Sequence, residues 1–270
     1  MASANAVRQA EHYDYKYHQE LERYLFRDIS FGEHLQSIHW RLLFQRYLAD
    51  VAGRRILDVG CGTGWTSLLL AQSGAEVTAI DISPRQIEIL SFNASHYGLA
   101  DRICAQAGDL TKMGLEEGSF DLCVGASILH HLEPAEERAM VREIARLLVP
   151  GGTAFFVEPA VNWRLLDQFR YLVPVPGRPA CWSRGWKAYK LRDPHPRRDL
   201  SSRHFRRVGR EFFDRVDVEA MGVFNRLERL TRYRGKALIH RLDYAVTGRL
   251  PQPLREPFCR AQIIRYRKGD

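Results

Sequence analysis

The chain of 270 residues carries 40 Lys+Arg against 32 Asp+Glu, a formal net charge of +8, with 45% hydrophobic and 27% charged residues. This is the composition of a folded globular protein, long enough for one large α/β domain with additions. It excludes a membrane-spanning run, since no apolar stretch approaches the roughly 20 residues required. It also argues against a disulfide scaffold or metal site, since the five cysteines (Cys61, Cys104, Cys123, Cys181, Cys259) are scattered without a CxxC pair.

The N-terminal residues lack the apolar core of a signal peptide, so a cytoplasmic protein with free thiols is expected. Charge is divided unevenly. Residues 1–150 hold a net of −6 and residues 151–270 a net of +14, which points to an anionic partner on the second half.

Residues 1–50 read as helices: "QELERYLF" and "HLQSIHWRLLFQRYL" space apolar residues three and four apart, and Leu35, Ile38, Leu42 and Tyr47 share one stripe. The period then changes. "RRILDVG" (54–60) is a short β-branched run ended by glycine and reads as a buried strand. "AEVTAID" (75–81), "RICAQAGD" (102–109), "FDLCVGAS" (120–127) and "GTAFFVEP" (152–159) are four more. Ser83, Pro84 and Gln86 spell a capping box with proline at the first helical position, and Ile87, Leu90, Ala94 and Tyr97 form the helix's inner face. A second helix starts at Pro134, carries acids in its first turn, buries Met140, Ile144, Leu147 and Leu148, and ends at Pro150-Gly151-Gly152. Alternating strands and helices predict a doubly wound parallel sheet covered on both faces. After Glu158 the rhythm breaks. Residues 159–212 are rich in Pro, Trp and Arg without a clear strand, and read as a cap inserted before two later strands, "VDVEAMGVF" (216–224) and "FCRAQIIRYRK" (258–268).

"ILDVGCGTGW" carries the most chemistry. It follows a strand, opens a helix, and sets Gly60, Gly62 and Gly64 within five positions. Glycines admit positive φ and close approach of a ligand to the backbone, and the helix start offers free N–H groups. About 20 residues on, at the next strand's end, Asp81 is placed to accept both hydroxyls of a ribose. A dinucleotide site wants glycine where Trp65 stands, so NAD and FAD are disfavoured.

The GxGxG loop, "AIDIS", "AGDL", "FDLCVGASILHHLEP" and "RLLVPGGTAFFVEP", in that order over roughly residues 50–160, resemble the motif series of the class I S-adenosylmethionine (SAM) methyltransferases. The resemblance implies a Rossmann-like sheet of order 3-2-1-4-5-7-6 with the seventh strand antiparallel. It implies that residues 51–270 form the SAM-binding domain, and that residues 1–50 form a helical lid whose Tyr13 and Tyr17 meet the ligand. The glycine loop, including Cys61, would hold the methionine part of SAM. Asp58 would brace that loop and the cofactor amino group, and Asp81 would take the ribose. Ile82 would pack on the adenine, Asp109 would meet its amino group beside Leu110, and Ala126 and Ser127 would lie near the amino acid end. His131 is the first candidate for a base that deprotonates the acceptor, followed by Glu158 and His130, all just past strand ends at the cleft mouth.

"LRDPHPRRDLSSRHFRRVGR" (191–210) contains seven arginines. Arg192, Arg197 and Arg198, with His195, precede a predicted helix over 201–213, and Trp182 and Trp186 precede them, so these six are the cap's candidate substrate contacts. No RNA-binding module accompanies them, and "GASILHHL" stands where base-directed members of the family carry "NPPY". The pattern therefore favours a small-molecule acceptor that is anionic, phosphate-bearing or lipid-like. "VEPAVN" and "DPHPRRDLS" also resemble a set of bacterial methyltransferases with "EPxxxN" and "DEHP"-like segments. The alternatives are an RNA-directed enzyme of the same fold and a non-catalytic SAM-binding or membrane-associated protein, with peripheral membrane contact through basic and apolar residues. Oligomeric state is not encoded in any of these patterns.

Overall fold

The central strand runs pair into one sheet because they are apolar on both sides and need cover on both. The computed structural model describes residues 4–19, 38–191, 196–224, 227 and 235–270. Its strands are β1 (Arg55–Val59), β2 (Glu76–Asp81), β3 (Ile103–Ala107), β4 (Phe120–Ala126), β5 (Leu148–Pro159), β6 (Arg215–Met221) and β7 (Ala261–Arg267). They are ordered β3-β2-β1-β4-β5-β7-β6, with β7 antiparallel to both β5 and β6 and the other pairs parallel. This is the Rossmann-like arrangement expected.

Alternation along the strands divides the core. Ile56, Val77, Val124 and Phe155 face one layer, where Leu68, Leu69 and Leu90 cover them. Leu57, Val59, Ile80 and Phe156 face the other, covered by Val141, Ile144, Phe205 and Val208.

Helix α1 spans Ala4–Gln19, and α2 spans Ile38–Tyr47. Residues 38–47, expected as part of a lid ending at residue 50, pack against the sheet. α2 is core: Leu42, Leu43 and Leu48 are buried, and Tyr47 stacks on Phe155 with ring centroids 5.0 Å apart. Leu35 and the side chain of Ile38 lie outside the described residues.

Helix α3 (Trp65–Gln72) follows the glycine loop, and α4 (Pro84–His96) is capped by Ser83, whose hydroxyl oxygen accepts from Gln86 N at 3.3 Å. The reciprocal half of the expected capping box is diverted: the Gln86 amide donates to Asp81 at 3.2 Å. Helix α5 (Pro134–Leu147) stops one residue earlier than expected. Leu148 already pairs with Phe120, and Pro150-Gly151-Gly152 lies inside β5 beside a register shift, with Gly151 at φ 72. Met140 is half-buried, and Val141 and Glu137 are buried.

Between β5 and β6 lie α6 (Arg164–Phe169), α7 (Trp186–Leu191) and α8 (Ser202–Gly209). α8 is shorter than the expected 201–213 because Gly209 packs flush on Tyr266, where a Cβ would sit 2.4 Å from the ring. Two further helices, α9 (Lys236–Arg249) and α10 (Gln252–Arg255), separate β6 from β7. Among the described residues, no helix is long and apolar enough to cross a membrane, and no cluster of His, Cys, Asp or Glu could hold a metal ion. All five cysteines are free thiols.

Candidate active site

The carboxyl ends of β1, β2 and β4 open at the point where the chain leaves β1 for β2 on one side and returns to β4 on the other, the usual binding crevice of such sheets. A cavity of about 430 Å³ lies there, within the roughly 300–1,000 Å³ typical of small-molecule sites. Its floor and walls include Gly60, Gly62, Asp81, Ile82, Asp109, Leu110, Ala126, Ser127 and His131, and α1 closes it with Asn5, Ala6, Gln9 and Tyr13.

The glycine loop is tied to β2. The N–H groups of Gly60 and Cys61 donate to Ile80 O at 2.8 and 3.1 Å. Gly60, Gly62 and Gly64 all have positive φ (64°, 57° and 81°), a region that side-chain-bearing residues reach only under strain. Space also demands them: a Cβ on Gly64 would lie 2.1 Å from Leu90 Cδ1, and one on Gly60 2.8 Å from Ile128. Of the loop's expected contacts, Asp58, Cys61 and Gly64 stand behind the cavity wall rather than on it. Asp58 is buried and accepts from the Ser67 hydroxyl at 2.6 Å, which fastens β1 to α3. Burial pushes its carboxyl up to about 7, with the nearby Asp81 charge adding and the Ser67 bond opposing. Burial likewise holds the Cys61 thiol well above its ordinary range.

Asp81 is the hinge of the site. One carboxylate oxygen accepts from Gly62 N at 2.9 Å, and the other accepts from Ser83 N at 2.9 Å and from Gln86. Burial raises its carboxyl against the opposing pull of those backbone bonds. Asp109, one strand farther out, accepts from Thr111 N at 3.1 Å and Thr111 Oγ1 at 2.8 Å and pairs with Lys112. Partial burial works upward on its carboxyl, but the Lys112 and Thr111 hydrogen bonds win and hold it below the usual range. Ser127, at φ 56, is the one non-glycine residue with positive φ among those described, and it turns the chain away from β4 at the cavity. Strain of this kind concentrates at functional sites.

The three candidate bases separate cleanly. Glu158 is buried and spent on the loop after β4: one oxygen accepts from Ile128 N (2.9 Å) and Leu129 N (2.7 Å), the other from His130 N (3.4 Å), with His130 Nδ1 at 2.7 Å. Glu158 and His130 therefore hold the loop and do not line the cavity. His131 does, its ring tilted against that of His130 with centroids 4.1 Å apart. Its Nε2 lies 3.2 Å from the Tyr13 hydroxyl. Burial, then the Asp81 charge, pushes the Tyr13 phenol up to about 12, so it stays neutral at physiological pH.

α1 bridges the cavity mouth. Asn5 donates to His131 O at 3.0 Å and to Glu136 at 2.7 Å on one bank. On the other, Asp14 takes the Ser83 hydroxyl and, at 3.4 Å, Arg85 N. Asn5, Gln9 and Tyr13 recur every four residues on one face, a spacing visible in the sequence but too polar to read as a core stripe. Tyr17 continues it, but its side chain lies outside the described residues. Met140 and Gln86 also line the cavity; both read from periodicity alone as core or cap.

Among the described residues, none from 159–212 lines this cavity. Trp182 is exposed and donates its indole N–H to Leu172 O at 3.2 Å, and Trp186 packs against Tyr171 and Tyr189. Arg197 is exposed. The Arg198 side chain is buried, bonding Leu129 O at 2.7 Å and Leu132 O at 2.6 Å while pairing with Glu137 and His204. Its place in an arginine-rich run, next to Arg197, gave no sign that it alone would turn inward to these acceptors. Arg192 and His195 lie outside the described residues.

Residues 56–152, the span from β1 into β5 that builds this cavity, match the family model described as "Methyltransferase domain". This span is a methyltransferase domain. Over 109 residues it is 38% identical to a ubiquinone biosynthesis O-methyltransferase of Xanthomonas oryzae pv. oryzae, covering 39% of this chain and 43% of that protein. Over 120 residues it is 32% identical to sterol 4-C-methyltransferase strm-1 of Caenorhabditis elegans, covering 44% of this chain and 35% of that one. The chain thus aligns with less than half the length of these curated relatives. Among solved structures, the [4+2]-cyclase SpnF superposes with a TM-score of 0.63 at 19% identity, covering 99% of this chain and 98% of that one, which extends the shared fold beyond the methyltransferase motifs.

Proposed function

We propose that this protein is a SAM-dependent O-methyltransferase acting on a small amphipathic molecule. The observation that carries the reading is the cavity itself: the glycine loop and Asp81 form one end, and His131 with Tyr13 faces the same space. The residues fit the cofactor. Gly60 and Gly62 line the cavity at positive φ with bare backbone, where a Cβ would collide with Ile128 or Gln86, and a buried carboxylate at the end of β2 suits paired hydroxyls. In this reading Asp81 holds the ribose, Ile82 and Leu110 sandwich the adenine with Asp109 at its amino group, and Ala126 and Ser127 border the methionine end. Asp58 acts through Ser67, positioning the loop. Bound SAM supplies an electrophilic methyl on a sulfonium, so the protein's task is alignment and exclusion of water.

An acceptor hydroxyl must give up its proton as its oxygen takes the methyl. His131 is the base that receives it, held by the Tyr13 hydroxyl on one side and by the Glu158-anchored loop on the other. The aliphatic walls (Val59, Ile80, Ile128, Leu132, Met140) suit an apolar acceptor body. α1 forms the lid, and Arg198 from the 159–212 insertion braces the loop that carries His131. The names of the relatives, O- and C-methyltransferases of quinone and sterol metabolism, support a small lipid-like acceptor.

The test is formation of S-adenosylhomocysteine from SAM over a panel of phenols, carboxylates, amines and a tRNA. Turnover with phenolic or other hydroxyl acceptors is expected, together with loss of SAM binding by calorimetry in Asp81→Ala. Turnover with tRNA alone, or native affinity in Asp81→Ala, would overturn the reading.

A further inference from the structure

Helix α6 (Arg164–Phe169) is turned inside out for a surface helix. Its carboxylate, Asp167, is buried, paired with Arg260 and with Arg170 at 3.4 Å. Leu165 and Phe169, one turn apart on the opposite side, are 69% and 63% exposed. An amphipathic helix in water does the reverse.

The segment that follows repeats the inversion. Residues 171–182 form a small hairpin, closed by reciprocal backbone bonds between Val175 and Arg178 (3.0 and 2.9 Å) and by Cys181 N donating to Tyr171 O at 2.8 Å. Its tip, "LVPVPG" (172–177), carries no charge. Leu172 and Val173 are exposed, and Trp182 is 74% exposed with its indole N–H already satisfied inside the hairpin. The hairpin's backbone is hydrogen-bonded within itself, yet it presents its apolar side chains outward.

The surroundings are cationic. Between residues 160 and 191 there are six Lys+Arg, and Asp167, internally paired, is the single acid. Arg164, Arg184 and Lys187 are exposed around the apolar surface. Apolar patches of this kind mark a partner. The charge selects which one. A second copy would bring the same cations face to face, because a two-fold contact pairs a patch with itself. An anionic bilayer meets both features: apolar and Trp side chains enter the headgroup boundary, and Arg and Lys stems lie along it with their charges at the phosphates.

We propose that the face formed by α6 and the 171–182 hairpin docks this protein onto an anionic lipid bilayer. No residue of this face lines the cavity, so the docking is independent of the proposed methyl transfer.

Co-sedimentation with vesicles tests it, using phosphatidylcholine alone and phosphatidylcholine mixed with phosphatidylglycerol, at low and high salt. The full-length protein is expected to partition at least about tenfold more strongly onto the mixed vesicles, with the difference shrinking at high salt. The triple variant Leu165→Ser, Phe169→Ser, Trp182→Ser should lose about tenfold or more in partitioning to mixed vesicles, since those side chains supply the buried apolar area. The pair Arg184→Glu, Lys187→Glu, both exposed in the native fold, should abolish the preference for anionic lipid, and keeps the question answerable if the triple variant misfolds. Sedimentation with neither vesicle, equal sedimentation with both, or unchanged partitioning in a folded triple variant would overturn the proposal. So would a wild-type dimer that the triple variant converts to a monomer without any vesicle binding, which would make the face a self-association surface.

Discussion

Arg198→Met removes one side chain that joins the basic segment to the candidate active site. The Arg198 side chain is 2% exposed and that of Glu137 is 0% exposed. The guanidinium donates to Leu129 O and Leu132 O, the two carbonyls that bracket His130 and His131, while its other nitrogen pairs with Glu137 and His204. Methionine fills much of the stem volume but leaves a buried carboxylate and two buried carbonyls without this donor. Breaking one side of a buried pair costs about 3–5 kcal/mol, a large share of the roughly 5–15 kcal/mol that holds a domain together. The His204 contact to Glu137 at 2.8 Å offsets part of that loss. Urea unfolding should therefore show a midpoint lower by about 1–2 M with little change in slope. The neighbouring exposed Arg197→Met should stay within about 0.5 kcal/mol of wild type. Adding Glu137→Gln to Arg198→Met should recover part of the stability, because the stranded charge is gone. Turnover should fall more than cofactor affinity, since the loop carrying His131 loosens while the Asp81 wall is untouched. An Arg198→Met protein as stable as Arg197→Met would refute the assignment of Arg198 as a structural tie.

Gly64→Ala meets both a positive φ and Leu90, and should lower stability by about 2–5 kcal/mol in the same assay; Gly177→Ala, at φ 75 in open space, should cost only the backbone part, and equal losses would show that packing against Leu90 is unimportant. Asp58 titrates near 7 when folded, above its unfolded value of 3.8, so the folded state holds its proton longer. Stability from this group is complete below about pH 4 and is lost as pH rises toward about 7; comparing wild type with Asp58→Asn by thermal unfolding should show a difference that shrinks or reverses over that window, and a pH-independent difference would refute it. Tyr13→Phe removes the hydroxyl held against His131 and should reduce turnover less than His131→Ala; because the phenol is pushed up to about 12, the pH–rate profile below about 9 should keep its shape, and a lost limb there would contradict the assignment.

Local order was legible from local chemistry. The strand runs, the positive-φ glycines of "GCGTG", the Ser83 cap and the acidic residue ending β2 each depend on near neighbours, so their residue types already state what the backbone must do there. That was enough to place Gly60, Gly62, Asp81, Asp109 and Ser127 around one cavity once the sheet order followed. Partners far apart in the chain were not legible. Glu158 and His131 both follow from strands that end at the cleft, yet only packing decides that Glu158 turns back to three loop N–H groups while His131 faces the cavity beside Tyr13, 118 residues away. The arginines divide in the same way. Their number and their net charge are properties of the sequence, but whether one is a buried tie like Arg198 or an exposed charge like Arg197 depends on where Leu129, Leu132 and Glu137 fold in space. Composition sets what charge and apolar area the chain must dispose of; tertiary packing alone chooses which side chains are paired inside and which are left facing outward.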